Sequence, residues 1–272
     1  MADNRAIGVF DSGLGGLTVT KEIIKLLPNE NIVYFGDTGR VPYGTKGRDT
    51  IRKYALQDEK FLLSHNVKMI VAACGTVSSV AADTANELPV PFIEVVSHSV
   101  KAAVKATKNK KIGILATNAT VSSGAHKSQI LKLLPDATVV ESSGSLLVSI
   151  VEEGWTDRHD IVAVETLKRY LEPMLAEQVD TLILGCTHFP VLSESINEIL
   201  KGRVTLINMG VSAAEAVNEY LKQHNCLNSG EDTAVHKFYV SDKTANFEKT
   251  ANILLGDYDS DFHIEQVDIE KI

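Results

Sequence analysis

The chain is sparing with the residues that mark several common chemistries. Three cysteines in 272 residues are too few, and odd in number, for a disulfide framework, so a reducing cytoplasm is the expected setting. No C-x-x-C pair or H-x-x-x-H spacing occurs, which leaves zinc without its usual ligand pattern. No apolar stretch approaches the roughly 20 residues of a membrane span. The opening Met1-Ala2-Asp3-Asn4-Arg5 lacks the charged start and long apolar centre of a secretion signal. Lys and Arg number 27 against 35 Asp and Glu, a net charge of -8 without a basic block, so nucleic acid is not an expected ligand. The glycines of Asp11-Ser12-Gly13-Leu14-Gly15-Gly16 do not form G-x-G-x-x-G, and Gly39 to Lys46 is no P-loop; both nucleotide fingerprints are absent.

What is present is a globular chain, 44% hydrophobic with mean hydropathy +0.02, in which short apolar runs alternate with helical patterns. Strands are expected at Ile7–Phe10, Ile32–Phe35, Met69–Ala73, Pro91–Val96, Ile112–Leu115, Thr138–Val140, Thr181–Leu184 and Thr205–Ile207. Helices are expected at Leu17–Leu27, Thr50–His65, Ser97–Lys105, Gly124–Leu134, His159–Gln178 and Val211–Gln223. Such βα alternation predicts an α/β fold with mainly parallel sheets and crossover helices. There is also an internal repeat. Ile7-Gly8-Val9-Phe10-Asp11-Ser12 resembles Ile112-Gly113-Ile114-Leu115-Ala116-Thr117, and Met69 to Cys74 resembles Thr181 to Cys186, at offsets of about 105 and 112 residues. The expectation is two similar doubly wound lobes, related by a pseudo-twofold axis, with the active site in the cleft between them. The first lobe comprises residues 1–98, with 210–272 folding back on it through a strand-helix unit, Lys237–Leu255; the second comprises 99–209. The polar stretch Asn225–Thr233 reads as a loop, and Cys226 within it as incidental.

Taken singly, Cys74 and Cys186 each read as a small buried hydrophobe, the usual state of a free thiol. Placed alike at strand ends in two repeats, they read as two sulfurs approaching one cleft from opposite sides. Inverting a stereocentre by proton transfer needs a base on one face and an acid on the other. A thiol, with a pKa of about 8.5 when free, serves in either role after a modest shift. Asp11, at the end of the first strand, is placed to bond an ammonium or a thiol, while Ser12 beside it also fits a helix cap. His188, two residues after Cys186, favours a thiolate when protonated. Cys74, Cys186 and His188 as zinc ligands is the weaker alternative. Asp37 and Glu152 are carboxylates at loop-like positions, which on their own read as solvated charges.

These residues carry a family resemblance. Ile7 to Val19, Gly36-Asp37-Thr38 with Val41-Pro42-Tyr43-Gly44, Leu184-Gly185-Cys186-Thr187-His188-Phe189-Pro190, and the closing Phe238-Tyr239-Val240 and Asn246 to Gly256 resemble the glutamate racemases of the cofactor-independent Asp/Glu racemase superfamily, over nearly the whole chain. The resemblance implies interconversion of L- and D-glutamate without pyridoxal phosphate or metal, supplying D-glutamate for peptidoglycan. It implies that Cys74 takes the proton from the D-enantiomer and Cys186 from the L-enantiomer, assisted by Asp11 and His188, with Asp37 and Glu152 as supporting carboxylates. Substrate contacts are implied for Asp11, Ser12, Tyr43, Gly44, Gly75, Thr76, Thr187 and His188, several of them backbone donors at strand-helix turns, which suit carboxylates. The expected partners are this small molecule and a second copy of the chain in a homodimer, with no nucleic acid and no membrane.

The chain departs from the family pattern at four places. Gly75-Thr76 stands where the family has Asn-Thr, Ser97-His98-Ser99 where it has Glu-Pro-Gly, Gly144-Ser145 where it has Cys-Pro, and Asn208-Met209-Gly210 where it has Asp-Ser-Gly. Both thiols and their helpers remain. A related racemase of altered specificity, for example toward aspartate, and a non-catalytic binding protein on the same fold stay open as alternatives.

Overall fold

The computed structural model describes residues 2–243, 247–255 and 264–271; Asn246 and Gly256, the ends of the closing motif, lie outside them. Among these residues ten strands form two sheets. The first contains β1 (Ile7–Asp11), β2 (Ile32–Gly36), β3 (Met69–Ala72), β4 (Phe92–Glu94), β9 (His236–Val240) and β10 (Ile264–Gln266) in the order β10-β9-β2-β1-β3-β4. The second contains β5 (Lys111–Ala116), β6 (Thr138–Ser143), β7 (Thr181–Gly185) and β8 (Thr205–Asn208) in the order β6-β5-β7-β8. Every pairing is parallel. The pattern 2-1-3-4 therefore recurs as 6-5-7-8, and the sequence repeat becomes a topological one. In such an order the chain reverses its direction of travel between β1 and β3, and again between β5 and β7. Ligands bind outside the carboxyl ends of the strands at that switch point.

β1, β2, β3 and β7 are buried at every position, because helices cover both faces of a parallel sheet and leave no polar side. Alternate residues serve different cores. Val9 belongs to a large cluster that reaches across both sheets, whereas Phe10 joins Phe35, Phe61 and Leu62 in a second cluster under α2 (Arg48–Ser64). Between the sheets, α1 (Leu17–Leu26) packs on α10 (Met209–Gln223), and α10 packs on α4 (Val95–Ala106). The remaining helices are α3 (Gly75–Val80), α5 (Asn118–Ser123), α6 (Ala125–Leu133), α7 (Leu146–Glu152), α8 (Ile161–Glu177), α9 (Ser193–Ile199) and α11 (Phe247–Leu255). No helix of the described residues is long and apolar enough to cross a membrane.

Three elements differ from expectation for local reasons. The strand expected over Pro91–Val96 stops at Glu94, whose carboxylate accepts from the backbone N–H of Ser97 at 2.8 Å and so starts α4 two residues early. The helix expected over Gly124–Leu134 is preceded by α5, and Gly124, at φ 64°, separates it from α6. β10 was not anticipated, and it extends the first sheet beyond β9. The polar stretch after α10 is held against the first sheet by a buried ion pair. Lys68 Nζ lies 2.6 Å from Glu30 Oε2 and donates to the carbonyls of Asp3 and Cys226, while Glu30 Oε1 accepts from Asn228 N.

Candidate active site

The switch points of both sheets converge on one pocket of about 380 Å³. β1 brings Ser12, β3 brings Cys74, β5 brings Thr117 and β7 brings Cys186, each one or two residues beyond the end of its strand. Cys74 is 4% exposed and Cys186 8%, so both sulfurs are largely shielded from water yet line the same cavity. Ser12, Tyr43, Gly44, Gly75, Thr76, Glu152, Thr187 and His188 line it as well. The sequence-derived set is thus brought together, except for Asp11 and Asp37. Asp11 is fully buried behind the pocket, where Oδ2 accepts from Gly13 N at 3.0 Å and Oδ1 has no hydrogen-bond partner. Asp37 is spent elsewhere: its carboxylate takes the Tyr43 phenol, the Arg40 guanidinium and the Ser241 hydroxyl.

The two thiols have different neighbours. Cys74 Sγ is 3.4 Å from Ser12 Oγ. Burial, reinforced by the Asp11 carboxylate, pushes the Cys74 thiol up to about 12 despite the Ser12 bond, so it rests protonated. Burial raises the Asp11 carboxyl too, opposed by the charge of His188. On the other side, Cys186 Sγ lies 3.8 Å from His188 Nδ1, and His188 Nε2 lies 3.1 Å from Glu152 Oε1. Burial works against the imidazolium, but the contacts with Cys186 and Glu152 outweigh it and raise His188 to about 10. Glu152, the last residue of α7, is therefore a partner of His188 rather than a solvated charge. Among the described residues, His188 is the one cationic side chain lining the pocket. Most of the other polar side chains there are hydroxyls, with Thr76 Oγ1 and Thr117 Oγ1 3.2 Å apart where the two sheets meet.

Close approach of the two halves depends on missing side chains. A Cβ on Gly15 would stand 2.2 Å from Thr187 Oγ1 and 2.7 Å from the His188 ring. A Cβ on Gly75 would stand 2.7 Å from the carbonyl oxygen of Gly185 and 3.3 Å from Met209 Cε. A hydrogen bond of 2.8 Å from Thr18 Oγ1 to the Thr187 carbonyl ties the same surfaces together. Among the described residues no cluster of three His, Cys, Asp or Glu side chains is placed to hold a metal ion. The lining residues the sequence reading missed include Thr117, with Thr45, Ser145 and Ser149. The repeat held the signal, since aligning Ile7–Ser12 with Ile112–Thr117 sets Thr117 opposite Ser12.

The raised His188 gives a stability test. A folded pKa above the ordinary 6.5 stabilises the fold fully below 6.5, and that contribution is lost as pH rises through about 10. The margin of native protein over His188→Gln in urea midpoint is expected to shrink across that window. A margin constant with pH would show that the imidazolium is not held as described.

A family model described as Asp/Glu/hydantoin racemase matches residues 7–217. The glutamate racemase of Neisseria meningitidis serogroup A is 44% identical over 254 residues, which cover 93% of each chain. The crystal structure of glutamate racemase from Francisella tularensis in complex with D-glutamate superposes with a TM-score of 0.91 at 38% identity, covering 99% of this chain and 100% of that one. The glutamate racemase of Thermus thermophilus in complex with β-chloro-D-alanine gives a TM-score of 0.88 at 37% identity, with 100% of each chain covered.

Proposed function

Because the chain belongs to the Asp/Glu/hydantoin racemase family, we propose that it interconverts L- and D-glutamate by moving the Cα proton between two thiols. One observation carries the reading: Cys74 and Cys186 leave equivalent strands of two like-ordered sheets and line one pocket. Residues 1–98 with 210–272 form the lobe that carries Cys74, residues 99–209 the lobe that carries Cys186, and a pseudo-twofold axis relates them across the cleft. Cys186, with the His188 imidazolium beside it, takes the proton of L-glutamate. Cys74, resting as a thiol, gives one to the opposite face of the carbanion, and the D-enantiomer reverses the roles. No external proton carrier is needed within a turnover, because each thiol ends in the state in which the other began.

Substrate carboxylates are held by Ser12, Thr76, Thr117 and Thr187 with the backbone N–H groups of Tyr43 and Gly44, while Asp11, buried behind the pocket, acts on the ammonium group through its charge alone. The pocket shields the thiols from water, so the developing charge meets fixed dipoles rather than solvent. The product serves peptidoglycan synthesis in the cytoplasm. The assembly we propose is a homodimer, for which the exposed Trp155, Ile161 and Val162 supply apolar surface.

The test is racemisation in deuterium oxide, read by circular dichroism and mass spectrometry. Native protein without added cofactor is expected to lose the rotation of either glutamate enantiomer while gaining one deuterium at Cα. Glutamate left inert while aspartate exchanges would replace this reading with a racemase of altered specificity, which the glycine at position 75 gives reason to examine. Binding without exchange of any amino acid would leave only a binding protein.

A further inference from the structure

The wall of the pocket formed by Val41 to Gly44 is fixed from behind by a buried network that the reaction does not use. Tyr43 is 1% exposed, and its hydroxyl reaches two carboxylates. Its hydroxyl contacts Asp37 Oδ2 and lies 3.0 Å from Asp58 Oδ2, on α2. Arg40 joins both acids, with Nε 2.6 Å from Asp37 Oδ2 and Nη2 3.1 Å from Asp58 Oδ1. Its Nη1 reaches Gln57 at 2.6 Å and Glu270 at 3.3 Å, and its guanidinium lies over the Tyr54 ring at 4.1 Å.

Counting protons decides the order of these bonds. A phenol carries one proton and donates one hydrogen bond. Two ionised carboxylates cannot both receive it, so one of the two must carry a proton of its own. Asp37 is served by three donors, from Tyr43, Arg40 and Ser241, and is the ionised member. Asp58 has a single guanidinium contact, faces Asp37 across the phenol and has Glu59 next to it, and it is fully buried. Burial, followed by the charge of Asp37, raises its carboxyl well above the ordinary range. Inside the network one guanidinium then balances one buried carboxylate, with Glu270 reaching Arg40 from the exposed side.

We propose that Asp58 is a positioning residue for substrate: as a neutral acid it donates to the Tyr43 oxygen, which donates to Asp37, and this ordered chain fixes the Val41–Gly44 wall against which glutamate is held. The proposal rests on the racemase reading for its kinetic readout alone. Asp58→Asn keeps a neutral donor for Tyr43 and an acceptor for Arg40, and is expected to keep KM and kcat near native. Asp58→Ala removes both, and KM for each glutamate enantiomer is expected to rise about tenfold with kcat changed less than about threefold, the pattern of lost ground-state binding. Tyr43→Phe should reproduce Asp58→Ala, and the double variant should add nothing further.

A readout free of substrate separates this proposal from the racemase reading. Amide hydrogen exchange across residues 41–45 should quicken in Asp58→Ala and Tyr43→Phe but not in Asp58→Asn, whether or not the protein turns over glutamate. Asp58→Asn as impaired as Asp58→Ala would overturn the proposal by showing that the acid must be charged. Native KM and native exchange in Asp58→Ala would overturn it by showing that the wall does not depend on Asp58. If Asp58→Ala fails to fold, Tyr43→Phe and Asp58→Asn decide between the same outcomes.

Discussion

Replacing either cysteine by serine is expected to abolish racemisation in both directions while leaving half of the proton exchange intact. An alcohol is a far weaker acid than a thiol, and general acid–base groups contribute roughly 10²- to 10⁴-fold, so racemisation should fall by about that factor in each variant. What remains should depend on the enantiomer offered. Cys74→Ser keeps the Cys186 side, so it should still wash deuterium into L-glutamate without changing its rotation. Cys186→Ser should do the same to D-glutamate alone. Cys74 and Cys186 are 4% and 8% exposed, and an oxygen in place of sulfur removes little volume, so both variants should fold as the native chain does. Loss of exchange from both enantiomers in both variants would defeat the assignment of one thiol to each face.

Gly75→Ala is expected to do nearly as much damage with a single methyl group. The added Cβ would sit 2.7 Å from the Gly185 carbonyl oxygen, a backbone atom that cannot rotate aside, and Gly75 directly follows Cys74. Overpacking of this kind costs roughly 1–3 kcal/mol. Displacing a reacting group by about 1 Å can cost on the order of 10²-fold in rate. A loss of about 10²-fold in kcat/KM with only a few degrees lost in Tm is the expected result, and an alanine variant of native activity would show that the two turns are free to part. Met209→Ala should not restore the activity of Gly75→Ala, because the contact with the carbonyl remains. The geometry also links two of the departures from the family pattern. Where the family has a side chain at the first position and serine at the second, this chain has Gly75 with Met209 Cε close by.

The strands were legible because a parallel sheet covered on both faces has no polar alternation to obscure it, and β1, β2, β3 and β7 stand where the apolar runs do. Helix starts were less so. Val95 and Val96 read as strand by their β-branching, and the Glu94 cap that turns them into helix is a contact between a side chain and a backbone N–H two and three residues on. α5, rich in Ser and Thr, has no apolar stripe to announce it. In the site, Cys74, Cys186 and His188 carried their own chemistry and were visible as residues. Asp37 reads as a solvated charge on its own and as a supporting carboxylate by resemblance, and nothing in its spacing reveals that Arg40, Tyr43 and Ser241 claim it. Asp58 lies mid-helix between Gln57 and Glu59, and no feature of the sequence there marks it as buried.

The two sheets repeat one order, yet the residues at their switch points are not copies: Asp11 is matched by Ala116, and His188 by Thr76. For a racemase this inequality has a thermodynamic bound. Mirror-image substrates have equal free energies in water, so the equilibrium constant is one and kcat/KM must be the same from either enantiomer. A thiol that rests protonated on one side and an imidazolium pair on the other therefore cannot favour a direction. Their unlikeness can appear only as a shared scaling, with the enantiomer that is turned over faster at saturation also the one that saturates later.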